Sequence, residues 1–170
     1  MKPIFSLFWY ICTFRAGPDR VPANTTFLGV IIILNILLNV ALFMLLNDVE
    51  FIRVVTLVVV NLTVTAGLIW VVMMLMDVGA RYQKTLTALF GADLILSTIT
   101  NLIAWGVQQG FGDSATNVQF FIIALLFMWT LGVYGFVFHR ALNLHIGFGI
   151  AIALFVIVFA LAISQTAVAV

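Results

Sequence analysis

From residue 27 to residue 46 the chain carries no charged side chain and only two strongly polar ones, Asn35 and Asn39. A helix needs ~20 mostly apolar residues to cross the ~30 Å hydrocarbon core of a bilayer, and this run supplies them. Four further segments have the same character: 54–76, 85–107, 118–138 and 146–165. Asp93 is the sole charged side chain in all five. Spanning strands would need polarity to alternate over ~10 residues. The run Leu28-Gly29-Val30-Ile31-Ile32-Ile33-Leu34 is continuously apolar instead. Only 8% of the chain is charged and 65% is hydrophobic, against about 25% charged in an average soluble domain. Such a chain has too little polar surface to face water. The expected fold is an all-α membrane protein with five transmembrane helices and a short N-terminal interfacial helix. Residues 1–26 form a cytoplasmic interfacial segment and residues 27–170 the five-helix transmembrane domain. The lipid bilayer is the first partner.

Orientation follows from where Lys and Arg fall. Lys2, Arg15 and Arg20 precede the first span, Arg81 and Lys84 lie in the second loop, and Arg140 lies in the fourth. The first loop holds only Arg53, beside Asp48 and Glu50, and the third holds Asp113 with no basic residue. A cytoplasmic N-terminus puts six of the seven basic residues inside. The C-terminus is then periplasmic, as an odd number of spans requires.

Residues 4–14 are apolar but too short to span. Pro3 suits a first helical position, and Gly17-Pro18 and Pro22 end the pattern. On a helical wheel Ile4, Leu7, Phe8 and Ile11 share one side, with Ser6 and Thr13 on the other. The segment reads as a helix lying in the cytoplasmic interface, with Trp9 and Tyr10 at headgroup depth. It reads as an anchor in preference to a signal peptide, because no small-x-small site follows and Arg15 stands where cleavage would fall. Its apolar face is broader than anchoring needs, so part of it is expected to dock against another protein's membrane helices. Asn24 reads as the cap of the first span.

Asp93 is the most informative residue at bilayer depth. A charge at a helix centre costs about 2.5–3.5 kcal/mol on insertion scales, so it is expected to face the bundle. Ser97, Thr100 and Asn101 share its helical face. Asn35 and Asn39 form an i, i+4 pair in the first span, and Asn61 and Thr65 do so in the second. Together these residues make a candidate intramembrane polar layer. Its functional reading is a proton or ion path, and its structural reading is interhelical hydrogen bonding at ~0.6 kcal/mol per pair. Arg81, Lys84, His139 and Arg140 lie at the cytoplasmic edge, within snorkelling reach of Asp93. Gly147 and Ala151, Gly149 and Ala153, and Gly132 and Gly135 mark places where helices can approach closely.

Catalytic patterns are missing: there is no HExxH, GxSxG, phosphate loop or cysteine pair. One cysteine, Cys12, makes no internal disulfide. His139 and His145 are six apart and do not share a helical face. No catalytic residue, metal or cofactor is expected, and a net charge of +1 points to no nucleic acid.

Two stretches carry a resemblance. Arg15-Ala16-Gly17-Pro18-Asp19-Arg20-Val21-Pro22-Ala23 precedes the first span, and residues 81–93, Arg-Tyr-Gln-Lys-Thr-Leu-Thr-Ala-Leu-Phe-Gly-Ala-Asp, enter the third. With Trp129 and His139-Arg140-Ala141-Leu142 they resemble a group of uncharacterised inner-membrane proteins of proteobacteria, loosely similar to the Yip superfamily. The signature of the eukaryotic Yip members is not clearly present. The resemblance implies five spans, a cytoplasmic N-terminus, a bacterial inner membrane and a scaffold or assembly role, and it carries no site residues onto this chain. The expected function is a non-enzymatic accessory subunit or scaffold of a larger membrane complex, meeting other integral membrane proteins through lateral helix contacts. The alternative is a small oligomeric channel or proton-coupled transporter using Asp93.

Overall fold

The computed structural model describes residues 4–46, 50–111 and 116–169. Lys2, Pro3, Asp48 and Asp113 lie outside the described residues. Among those described, the chain is helical with no strand. A short helix, α1 (Ile4–Cys12), is followed by a single 3₁₀ turn (Pro18–Arg20). Then come α2 (Thr25–Leu46), α3 (Phe51–Leu75), α4 (Tyr82–Phe111), α5 (Thr116–Leu142) and α6 (Ile146–Ala169). The last five are long and apolar enough to cross a membrane, so this is a multi-pass integral membrane protein. α4 has 30 residues, about 45 Å at 1.5 Å per residue. It outruns the hydrocarbon core and begins one turn earlier than its apolar segment.

Local chemistry sets the helix ends. Asn24 Oδ1 accepts from Thr26 N at 2.8 Å and Phe27 N at 3.3 Å, so Asn24 caps α2 as its position suggests. Asp77 (φ 55°) and Asn143 (φ 54°) close α3 and α5 in the left-handed region, which short polar side chains tolerate. In the α5–α6 turn, His139 Nδ1 is hydrogen-bonded to Leu144 O, and His145 Nδ1 accepts from Gly147 N at 3.2 Å. Both histidines are thus engaged in building one tight turn.

The five spans form a closed ring in the order α2, α4, α5, α6, α3, and α3 returns to α2. Sequence neighbours α3 and α4 touch only lightly across it. Backbones come closest between α5 and α6. A Cβ on Gly135 would stand 3.0 Å from Ile150 Cα, and one on Gly149 would collide with Gly135 O. The buried stripe is Gly149, Ala153, Val156 and Ala160, whereas Gly147 and Ala151 are exposed. Of the two small-residue pairs on this helix, only Gly149 and Ala153 serve a helix contact. Apolar side chains on the outer faces, among them Ile33, Leu37, Trp70, Trp105 and Phe148, stay exposed, as a lipid-facing surface requires.

The short N-terminal helix is present, and one face of it packs on the bundle. It is wedged against α4 and α5, with Phe8, Ile11 and Cys12 buried. Cys12 Sγ lies 3.8 Å from Ala92 O, ten residues into α4 and so about 15 Å from its start. Gly91 makes this possible, because any Cβ there would collide with the Phe8 ring. Trp129 donates its indole N–H to Cys12 O at 2.9 Å. Phe14 (φ 61°) is a bulky residue in the left-handed region, where such residues are outliers. Its ring packs edge-on against Phe136 at 5.7 Å and over Gly132, 3.3 Å from where a Cβ would sit. The face that the sequence assigns to a partner protein therefore packs on the chain's own bundle, while Phe5 and Trp9 remain exposed.

With α1 in place, every residue from Thr85 to Ala92 is buried. A membrane span is seldom enclosed on all sides over two turns. Here α1 and the 3₁₀ turn cover the flank that lipid would otherwise reach. Thr85 and Thr87 bond back to Arg81 O (3.0 Å) and Gln83 O (2.7 Å), so their hydroxyls carry no desolvation penalty.

Candidate functional site

Asp93 sits on α4 just beyond that enclosed stretch. Its two oxygens face different neighbours. Asn35 on α2 donates Nδ2–H to Oδ2 at 3.1 Å, and Tyr134 on α5 donates its hydroxyl to Oδ1 at 3.3 Å. Asn35 Nδ2 also reaches Phe90 O at 3.1 Å. Asn39 supports the arrangement from one turn away, donating to Asn35 Oδ1 at 2.7 Å and Asn35 O at 3.0 Å. Asn39, Asn35, Asp93 and Tyr134 therefore form one hydrogen-bonded chain across three spans. The bond from Asn35 is of ordinary length for N–H···O. The bond from Tyr134 is long for O–H···O, so the phenol is the weaker tie.

Asp93 is only part-buried because one side of it faces a chamber of about 260 Å³ inside the ring. Asn61 and Thr65 of α3, Thr100 of α4, and Thr130 and Tyr134 of α5 also line it, with α6 supplying an apolar wall at Ile157 and Ala160. Ile123 and Phe127, both exposed, mark its rim. Towards the end bearing α1, the buried Ile69, Met73, Leu89, Val137 and Phe138 close the bundle. The chamber is one-sided and extends towards the end that carries the α2–α3 and α4–α5 connections.

Six residues of the predicted polar layer meet here, Thr100 at the chamber wall among them. Asp93, Asn35 and Asn39 are joined by hydrogen bonds, and Asn61 and Thr65 face Asp93 across the chamber. Ser97 and Asn101 do not join them. Ser97 Oγ is bonded to Leu94 O at 3.5 Å and Asn101 Nδ2 to Ser97 O at 2.8 Å. Both are satisfied within α4, and neither lines the chamber. Tyr134 and Thr130 are the residues that sequence reasoning missed. They stand four apart in a span whose other strongly polar side chain, Gln119, lies at its end, the same i, i+4 signal that singled out Asn35 and Asn39.

Arg81, Lys84 and Arg140 do not reach towards Asp93. They line a separate cavity at the basic end of the bundle. His139 is engaged with Leu144 O. Among the described residues lining the chamber Asp93 carries the only carboxyl group, and no basic side chain is present. Such a lining offers one carboxyl group, a phenol, an amide and three threonine hydroxyls to whatever enters. Comparison with family models, with curated proteins and with solved structures finds no match for this chain.

Proposed function

We propose that this is a non-enzymatic membrane protein that binds a small cation, the proton included, at Asp93 from a one-sided chamber. The observation that carries the reading is the placement of Asp93 between Asn35 and Tyr134 with a free side to the chamber. An ionisable group at bilayer depth is costly, and such groups mark ion or proton paths by default. A purely structural aspartate would be served as well by a dry contact, whereas this one borders open volume lined with hydroxyls. The neutral lining favours a cation over an anion, because the only formal charge available to it is negative. The long Tyr134 bond is the one a bound cation would replace.

The test is binding of protons and monovalent cations to the protein in neutral detergent, followed by calorimetric titration at two pH values. Wild-type protein binds with a pH-dependent affinity, and Asp93→Asn abolishes the binding while keeping the same elution volume and helicity. Equal binding in both proteins, or none in the wild type, overturns the reading.

A second reading, an accessory subunit of a larger assembly, draws on Phe5 and Trp9. Their rings stack 6.5 Å apart on the outer side of α1, and both are exposed. Phe5→Ala with Trp9→Ala leaves the buried face of α1 untouched. Loss of a co-purifying membrane protein from that variant in mild detergent supports the subunit reading.

We read the membrane as a bacterial inner membrane with the N-terminus cytoplasmic. Support comes from Arg15, Arg20, Arg81, Lys84 and Arg140, all at one end of the bundle, as the positive-inside rule requires. The Yip-like relationship is proposed on the two stretches quoted above alone.

A further inference from the structure

The basic end of the bundle holds a second cavity, of about 340 Å³, lined by Asp19, Arg81, Lys84, Thr85, Arg140 and Asn143 among others. Three chain segments build it: the 3₁₀ turn after α1, the start of α4 and the end of α5. Three cations face one carboxylate there, leaving an excess of positive charge. Among the described residues the only ion pair joins Arg53 and Glu50, elsewhere in the chain, so Asp19 neutralises none of the three at contact distance. Two of the cations are held in place. Arg81 donates Nη1–H to Ala141 O at 3.0 Å, and the rest of its guanidinium fork has donors to spare. Arg140 lies over the Phe136 ring at 5.5 Å, which fixes its stem by a cation–π contact. The hydroxyl of Thr85, at the cavity wall, is bonded to Arg81 O. Three like charges around one open volume make it attractive to an anion. Planar guanidinium groups match tetrahedral oxyanions well.

We propose that this cavity is a phosphate-binding site at the membrane edge, filled by the phosphate of an anionic phospholipid headgroup or of a small soluble phosphomonoester. Both sources share the same chemistry: an oxyanion clasped by Arg81, Lys84 and Arg140. A phosphate there also ties the start of α4 to the end of α5.

The experiment is thermal unfolding of the full-length protein in neutral detergent. Phosphatidylglycerol, phosphatidylcholine, inorganic phosphate and glycerol phosphate are titrated separately. Stabilisation by phosphatidylglycerol alone identifies a lipid site, and stabilisation by the soluble phosphates identifies a metabolite site. Removing one basic residue is expected to weaken binding about fivefold, and two together roughly 25-fold. Arg81→Gln with Arg140→Gln is the loss variant. Asp19→Asn removes the opposing charge and tightens binding, which guards against a loss variant that fails to fold. Asp93→Asn leaves binding unchanged, so failure at the chamber and failure here are distinguishable. No stabilisation by any of the phosphates, or undiminished binding in a folded double variant, or weaker binding in Asp19→Asn, overturns the proposal.

Discussion

The indole N–H of Trp129 donates to the backbone oxygen of Cys12 at 2.9 Å, across 117 positions of sequence. That single bond joins the end of α1 to the middle of α5. It satisfies a carbonyl that the last turn of a helix leaves without an intrahelical partner. With the Phe8 ring seated on Gly91, it fastens the N-terminal helix to the flank of the bundle.

Cys12 reports on that contact. Burial, with a contribution from the nearby Asp93 carboxylate, pushes its thiol up to about 12 from the usual 9.0. The thiolate is the reactive form, and at pH 8 only about one thiol in ten thousand carries it. N-ethylmaleimide should therefore modify native protein very slowly at pH 7, and faster as pH rises towards 9. Trp129→Phe should speed labelling, followed by intact mass. The sign for stability follows. A raised thiol favours the docked helix below pH 9, and that contribution fades as pH climbs from 9 towards 12.

Gly91→Ala places a methyl group where the Phe8 ring lies. Overpacking of this kind costs about 1–3 kcal/mol. Because Gly91 faces α1, the expected outcome is release of α1 with the five spans intact, seen as fast Cys12 labelling without loss of helicity. Phe8→Ala should be milder in the Gly91→Ala background than in the wild type, a coupling that a double-mutant cycle measures.

The polar chain around Asp93 should show graded costs. Tyr134→Phe removes one long bond and should cost about 0.5 kcal/mol or less. Asn35→Leu removes bonds to Phe90, Asp93 and Asn39, and at ~0.6 kcal/mol for each in a membrane it should cost about 2 kcal/mol. Unfolding in mixed micelles with rising SDS ranks the two. A larger loss for Tyr134→Phe would place the main tie on α5 instead of α2.

Orientation is checked on a Cys12→Ser background with single cysteines at exposed sites. Ala23 and Ala80 lie at the basic end, and Gln109 and Gln165 at the other. An impermeant thiol reagent on spheroplasts should label only Gln109→Cys and Gln165→Cys. Ser164 is unsuitable despite its position near the end of α6, because it is buried and bonded to Leu161 O at 3.0 Å.

Much of the fold is legible residue by residue. Asn24 caps α2, Gly17-Pro18 breaks the chain after α1, and five apolar runs become five spans. Each depends on a few neighbours in sequence. The inward turn of Asp93, Asn35 and Asn61 is legible too, because lipid penalises a polar side chain wherever the helix places it. Ser97 and Asn101 show the limit. They share the helical face of Asp93, yet a backbone carbonyl one turn back satisfies each of them, so nothing draws them to the chamber.

What the sequence by itself determined is the number of spans, their approximate bounds and the charged asymmetry of the two ends. In a bilayer every backbone polar group must be bonded within its own helix, so each span is a local decision of length and apolarity. What only the tertiary structure decided is which spans are neighbours. The ring order sets α4 against α2 and α5, away from α3, and so brings Asn35 and Tyr134 to the same carboxyl group. It also leaves a flank of α4 that α1 can enter. These outcomes rest on packing between residues far apart in the chain, such as Phe8 on Gly91 and Gly149 against Gly135. An apolar pattern shows that a face will be covered, but shape complementarity selects what covers it.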